Sequence, residues 1–208
     1  MNTLVIGAGV VGCTTAYFLS KAGHDVVLLD SADGPAQGCS FANGGLVETS
    51  SVSAWVSPAV PKMLLRGIGD TAVPYQIRTY FNLYMWLWAL QFLNNCSKKN
   101  SHRITENLRR LAQYSYSIMK NIVVEENISY ERRLGIIDLY RLQPEFDSAL
   151  KKINSREITE SRLLNRNDLI ELVPALSKTR ANFVGGLERK TDETGDAHLF
   201  ANGITNAA

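Results

Sequence analysis

The chain has little cysteine, little histidine and almost no net charge. Its 208 residues include three cysteines, three histidines and six prolines, and 22 basic residues stand against 20 acidic ones. The cysteines (Cys13, Cys39, Cys96) are odd in number and lack metal-type spacing. That argues against a disulfide framework or a zinc module and fits a reduced, intracellular setting. Cys13 reads as a small apolar filler on a helix, and Cys39 as an unreactive thiol. A formal charge of +2 argues against a nucleic-acid binder driven by electrostatics. The densest basic spot, Lys98-Lys99 with His102-Arg103, reads as a solvated face. No apolar run is long enough to span a bilayer. Met1 leads directly into a strand pattern, so no signal peptide is expected. A Ser/His/Asp set, an HExxH and a P-loop are all missing. His24, His102 and His198 are read as non-catalytic, and no catalytic residue is assigned. What remains is a globular composition, 45% apolar and 20% charged. At this length it buries a sizeable core as one large domain or two small ones.

The most informative stretch comes first. Thr3-Leu4-Val5-Ile6 is a short β-prone run, followed at once by Gly7-Ala8-Gly9-Val10-Val11-Gly12. A helical pattern with Ala16, Leu19 and Ala22 on one face ends at Gly23, and Val26-Val27-Leu28-Leu29 leads to Asp30. Strand, glycine turn, helix, strand and acid form the dinucleotide-binding unit in its required context. Gly7 allows the sharp turn, Gly9 lets backbone approach a pyrophosphate, and Gly12 lets helix and sheet pack closely. The helix N-terminus offers N–H groups and a positive dipole end to phosphates. Asp30 can accept hydrogen bonds from both ribose hydroxyls, and its charge disfavours a 2′-phosphate. The motif leaves FAD and NAD open, and a βαβ unit with no ligand is the bland alternative.

Residues 31–38 form a loop by composition. In the stretch 39–47, small residues, Asn43 and the Gly44-Gly45 pair suit either close approach to a flat or phosphorylated ligand or a turn needing positive φ. Residues 47–75 read as a long connection. The aromatic-rich segment 75–96 reads as a helix apolar nearly all round, either buried or facing a membrane surface or partner, with burial the expected state. Residues 104–126 predict an amphipathic helix with Leu108, Leu111, Ile118, Met119 and Ile122 inward. Strands are expected at 134–140, 162–164 and 183–187, a helix from Pro144 to Leu150, and another capped by Asn167 and ended by Pro174. Asp192 to Asp196 reads as an acidic turn with Asp196 capping a last helix; a metal site there is the less favoured alternative.

Taken in order, these residues resemble the D-amino-acid-oxidase-type FAD-dependent oxidoreductases. The resemblance rests on the FAD-type fingerprint (the glycines, then Ala16, Leu19, Gly23 and Val26) and on Ser40-x-Ala42-Asn43-x-Gly45. Ala22-Gly23-His24, Trp55, Pro58, Val60-Pro61, Trp86, Trp88, Asn95-Cys96 and Asp192-Glu193-Thr194-Gly195-Asp196 extend it over nearly the whole chain. Within the family it is nearest to bacterial D-amino acid dehydrogenases. The resemblance implies an α/β fold: a Rossmann-like FAD-binding βαβ unit with a second α+β substrate domain. The expected division is 1–75 for the FAD domain, 76–191 mainly for the substrate domain and 192–208 for the return. The fold reads as truncated at the C-terminus, leaving an uncovered sheet edge. Cofactor-binding residues are expected at Ile6, Gly7, Ala8, Gly9, Val10, Val11, Gly12, Asp30, Ser31, Ser40, Ala42, Asn43, Gly44, Gly45 and Leu46. No metal is implied. The implied partners are a D-amino acid or related amine and an electron acceptor: a quinone or the respiratory chain, or oxygen. The implied setting is cytoplasmic, with peripheral contact on the inner face of the inner membrane. An NAD-dependent dehydrogenase and a non-catalytic fragment or subunit needing a partner are the rival readings.

Overall fold

The N-terminal pattern folds as read. In the computed structural model, which describes residues 1–66, 82–154 and 161–208, β1 (Asn2–Ile6), α1 (Val10–Lys21) and β2 (Asp25–Leu29) form one βαβ unit. The two strands pair in parallel, Thr3 opposite Val26 and Ile6 opposite Leu29. Side chains alternate between faces along each strand. One face is half-buried, through Thr3, Val5, Val26 and Leu28. The other exposes Leu4, Ile6, Val27 and Leu29.

The later elements are β3 (Leu46–Val47), α2 (Val60–Arg66), α3 (Leu83–Asn94), α4 (Lys98–Glu125), β4 (Arg133–Tyr140), α5 (Gln143–Asn154), β5 (Ser161–Asn165), α6 (Arg166–Leu172), a 3₁₀ turn (Pro174–Lys178), β6 (Gly185–Thr194) and α7 (Ala197–Asn206). They fall into two compact units, Met1–Ser51 with Tyr114–Ala208, and Val52–Gln113.

In the first unit β6 is the central strand of an antiparallel sheet. β4 pairs along its whole length, while β3 and β5 both pair with the opposite edge, β3 at Glu193–Thr194 and β5 at Gly185–Arg189. The main core packs α1 and α7 with the end of α4: Cys13, Tyr17, Ile122, Phe200, Ala201 and Ile204 are buried together with Ile128 and Tyr130. A satellite core of Leu164, Leu169 and Phe183 lies under β5 and α6. In the second unit, Val56, Val60 and Cys96 form a small core with Phe92 and Ile104 packed on it.

Four sequence expectations need correction. α3 buries none of its residues: Tyr84 is 82% exposed and Trp88 62%. Only Met85, Ala89 and Phe92 are half-covered, one stripe of a helix apolar on every side. Part of that predicted helix, 75–81, lies outside the described residues, as does 67–75 of the long connection. α4 uses its apolar stripe only over its last turns, with Leu108 and Leu111 exposed. The cap of α6 is Asn165, not Asn167: its carboxamide accepts from the N–H groups of Asn167 and Asp168, and Asp168 answers the Asn165 N–H in a capping box. Finally, Asp192, Glu193 and Thr194 do not form a turn. They continue β6, and Asp192 and Glu193 are fully buried. Charge at those positions hides a strand because, Arg189 apart, the groups that satisfy it lie far away in sequence: Thr49 and Ser50 for Asp192, and Tyr116, Tyr130 and Arg132 for Glu193.

Candidate active site

The glycine turn is held from three directions. Gly7, at φ +102°, donates its N–H to the Leu29 carbonyl at 2.7 Å. Ala8 donates to Asp30 Oδ2 at 2.6 Å, and its carbonyl accepts from the Ala36 N–H at 2.7 Å. Gly9 is the N-cap of α1 and has no side chain to cap with. Ser40, thirty residues from the start of the helix, does so instead: its Oγ accepts from the Val10 N–H at 3.1 Å. A helix's first N–H groups have no intrahelical acceptor, so the α1 start concentrates donors and a positive dipole end at Gly9–Gly12. Gly12 sits where a Cβ would come 1.7 Å from the Gly7 carbonyl oxygen. Asp30 is exposed at the tip of β2. The N–H groups of Ala32 and then Ala8 hold its carboxyl below the usual aspartate range, so it is an anion at neutral pH. Ser31 touches it at 3.4 Å through Oγ. Ile6 and Val11 are exposed on either side of the turn.

The second group of residues forms one wall of a cleft of about 380 Å³. Phe41, Ala42, Asn43, Gly44 and Gly45 line it together with Glu131, Arg133 and the Thr194–Ala197 segment. Asn43 Oδ1 accepts from the Gly45 N–H at 2.8 Å, an Asx turn. Gly45, at φ +58°, gives its carbonyl to the Gly195 N–H at 2.9 Å, and a Cβ there would lie 2.1 Å from the Gly195 oxygen. The positive φ expected at this glycine pair is found at Gly45, and the close approach there is to the Gly195 backbone. Leu46 starts β3 opposite Thr194 and is exposed. Ser40 joins the two groups: it caps α1, and its hydroxyl lies 3.5 Å from the Cβ position of Gly9. Among the described residues no group of three His, Cys, Asp or Glu is placed to hold a metal ion.

The family model described as FAD dependent oxidoreductase (DAO) matches residues 2–208. The chain belongs to this family. Curated relatives include the D-amino acid dehydrogenase of Granulibacter bethesdensis, 36% identical over 203 residues, which cover 96% of this chain and 49% of the relative. That of Allorhizobium ampelinum is 35% identical over 211 residues, 100% of this chain and 50% of the relative. The chain thus spans about half the length of the curated relatives it matches. Among solved structures, glycine oxidase from Bacillus cereus superimposes with TM-score 0.62 at 16% identity, covering 98% of this chain and 42% of that one. L-α-glycerophosphate oxidase from Mycoplasma pneumoniae, solved with FAD bound, superimposes with TM-score 0.52 at 18% identity, covering 98% and 41%.

In this family member, residues adjoining the cleft-lining Glu131, Arg133 and Thr194 form a group that sequence reading did not single out. Glu193 is fully buried and accepts from the Tyr130 hydroxyl at 2.6 Å, the Tyr116 hydroxyl at 2.8 Å and Arg132 Nε at 2.5 Å. Burial, then the Glu193 carboxylate, pushes the Tyr130 phenol far up, so it stays a donor at any working pH. The Tyr130 carbonyl accepts from the Asp196 N–H at 2.7 Å, and its ring fills the space a side chain at Gly195 would need. Asp196 then caps α7 through the Leu199 N–H, as expected. The legible signal was the run of acids; the partners of Glu193, 61 to 77 residues away, carry no local mark. The bond from Ser40 gives a direct test. Ser40→Ala is expected to cost about 1 kcal/mol, the usual value of a helix cap. That lowers the melting temperature by about 2–4 °C at this chain length. An unchanged melting curve would show that the cap contributes nothing.

Proposed function

We propose that this protein uses FAD to oxidise the C–N bond of a D-amino acid or a related amine, giving a 2-oxo acid and ammonia after hydrolysis of the imino acid. The observation that carries the reading is the family match across residues 2–208, on a chain whose glycine turn has the required geometry. FAD, when bound, would supply the two-electron oxidation that no side chain here can perform. The residues fit it. Gly9 has no side chain and Gly12 lets α1 close on the Gly7 carbonyl, so the α1 N-terminus at Gly9, Val10, Val11 and Gly12 can meet a pyrophosphate, flanked by Ile6, Gly7 and Ala8. Asp30, an anion pinned by two backbone N–H groups, is set to accept from ribose hydroxyls, with Ser31 beside it. Ser40, Ala42, Asn43, Gly44, Gly45 and Leu46 present a further run of small residues and backbone. We assign residues 1–75 and 192–208 to the FAD-binding side and 76–191 mainly to the substrate side. A quinone or respiratory-chain component is the proposed electron acceptor, with oxygen as the alternative.

A second reading has its own observation. Leu4, Ile6, Val27 and Leu29 are exposed together on one face of the β1–β2 pair. Parallel strands are normally covered on both faces. This supports a chain that forms a usable site only with a further polypeptide segment.

The two readings separate on one measurement. The visible spectrum of the purified protein is recorded after incubation with FAD and gel filtration. Retained flavin bands that bleach with D-alanine under nitrogen support the enzyme reading; no retained flavin supports the second. Asp30→Ala is expected to weaken FAD binding roughly 10- to 100-fold, since hydrogen bonds to a charged group contribute about 1.5–3 kcal/mol. Asp30→Asn keeps an acceptor for the Ala8 N–H, so it separates loss of charge from loss of turn geometry.

A further inference from the structure

The loop after β2 clamps the glycine turn at two points. The Ala36 N–H donates to the Ala8 carbonyl at 2.7 Å, and Ser40 Oγ accepts from the Val10 N–H at 3.1 Å. Ala36 makes its bond from an uncommon conformation. Its φ is +58°, in the left-handed region that a residue with a Cβ enters against steric resistance. Such a conformation persists only where the surroundings hold it. Part of the hold is apolar, because Ala36 is buried in the main core beside Ala8.

The polar part comes from α7. His198, the second residue of that helix, sets Nδ1 3.4 Å from the Ala36 carbonyl oxygen, 162 residues away in sequence. Its ring lies edge-on to Phe41, with 5.0 Å between centroids. One side chain therefore touches both ends of the segment 36–41. That segment carries Ser40 and leads into the cleft-lining residues Phe41 to Gly45.

Asn202, one turn further along α7, settles where the ring carries its proton. Asn202 Nδ2 donates to the His198 carbonyl at 2.8 Å, and this sets the orientation of the amide, because a carbonyl only accepts. The same Nδ2 lies 3.2 Å from His198 Nε2 and gives its other hydrogen there. Nε2 is then the acceptor, and a neutral imidazole holds its one proton on the other nitrogen. The network so assigns an Nδ1–H that donates to the Ala36 carbonyl.

We propose that His198 is a positioning residue: as the Nδ1–H tautomer fixed by Asn202, it holds Ala36 in its left-handed conformation and keeps the 36–41 loop clamped on the glycine turn that is to meet FAD. The clamp is a property of the chain itself. Its consequence rests on the flavin reading: a pyrophosphate site that has its shape before the ligand arrives loses less to ordering on binding.

The experiment compares H198N, H198F and N202A with the parent. Asparagine places an amide N–H at the same point along the side chain as the imidazole Nδ1–H, so H198N keeps the donor and loses the ring. H198F keeps a ring against Phe41 and loses the donor. Amide hydrogen exchange at Ala36 is expected to quicken about fivefold in H198F, the worth of one neutral hydrogen bond, and to stay near the parent in H198N. Amides inside α1 should exchange alike in all four proteins, which tells a loosened loop from a general loss of stability. Nitrogen-15 spectra should show the Nδ1–H tautomer in the parent and a mixture with Nε2–H in N202A. FAD affinity, measured by fluorescence titration, should follow the exchange: about fivefold weaker in H198F and close to the parent in H198N. A parent ring in the Nε2–H form, parental Ala36 exchange in H198F, or an H198N loop as loose as that of H198F would overturn the proposal. So would a loosened loop that binds FAD like the parent, because His198 would then position nothing for the flavin. A parent without affinity for FAD would overturn the flavin reading instead, and the exchange comparison would still decide the clamp.

Discussion

Gly12→Ala is expected to destabilise the protein by about 3 kcal/mol and to abolish flavin retention, although alanine is the better helix former. Propensity alone favours the change by about 1 kcal/mol. The geometry outweighs it. The new methyl would lie 1.7 Å from the Gly7 carbonyl oxygen and 2.9 Å from its carbon, where ordinary contact begins at 3.4 Å. The separation to the oxygen must double, and the atom in the way is backbone. Gly7 cannot retreat freely, because its N–H is bonded to Leu29 and its φ of +102° already marks a constrained turn. Either α1 lifts from β1 or the turn opens, and both move the N–H groups proposed to meet the pyrophosphate. Gly9→Ala is the control. Its Cβ would meet only Ser40 Oγ, at 3.5 Å, and its φ of −71° suits any residue. That variant should melt within about 1 °C of the parent yet bind FAD at least tenfold more weakly, since the methyl stands where backbone must approach the ligand. Thermal melting and fluorescence titration with FAD measure the two effects separately. A Gly12→Ala protein as stable as the parent would refute the close-packing argument. A Gly9→Ala protein with unchanged affinity would move the ligand away from this turn.

The contrast shows what was legible in the sequence. Gly7, Gly9 and Gly12, the apolar strands around them and Asp30 are all within thirty residues, so spacing alone states their geometry. The positive φ at Gly45 was legible for the same reason, being a local need of the turn, whereas the Asx turn made by Asn43 was seen only in the structure. β6 was not. Asp192 and Glu193 look like turn residues until Arg189, Arg132, Tyr116 and Tyr130 converge on them, and three of those four lie outside β6. The misplaced α6 cap is a smaller case: Asn165 and Asn167 are chemically identical candidates two residues apart, and the end of β5 decides between them. α3 failed for a different reason. Apolar residues on all sides state that a helix avoids water, but not whether protein or lipid replaces it.

Arg189→Met should cost about 3–5 kcal/mol at neutral pH, the usual price of breaking a buried ion pair from one side. That is a large part of the 5–15 kcal/mol typical of a folded domain. Arg189 is 3% exposed and donates to Asp192 at 2.9 Å, Glu48 at 2.8 Å and Asp138 at 3.1 Å, and also to Ser51. Glu48 and Asp138 keep substantial solvent contact, so losing those pairs contributes little. Asp192 is different, because it is fully buried. Burial alone would raise its carboxyl pKa. The Ser50 hydroxyl at 2.6 Å, the N–H groups of Thr49 and Ser50, and Arg189 outweigh burial and hold it below the usual range. A carboxyl with a lowered folded pKa adds stability above its unfolded pKa and loses it as pH falls through the folded value. The parent should therefore weaken in acid below about pH 4, where free aspartate protonates. In Arg189→Met the Asp192 pKa lies higher than in the parent, so acid removes less stability from the variant. The gap between the two proteins should be widest at neutral pH and should narrow as the pH falls. Urea midpoints measured from pH 7 to pH 3, with unchanged m-values, test this directly. A loss under 1 kcal/mol at pH 7, or a gap independent of pH, would refute the assignment. The double variant Arg189→Met with Asp192→Leu should recover part of the loss, because no buried charge is then left without its partner.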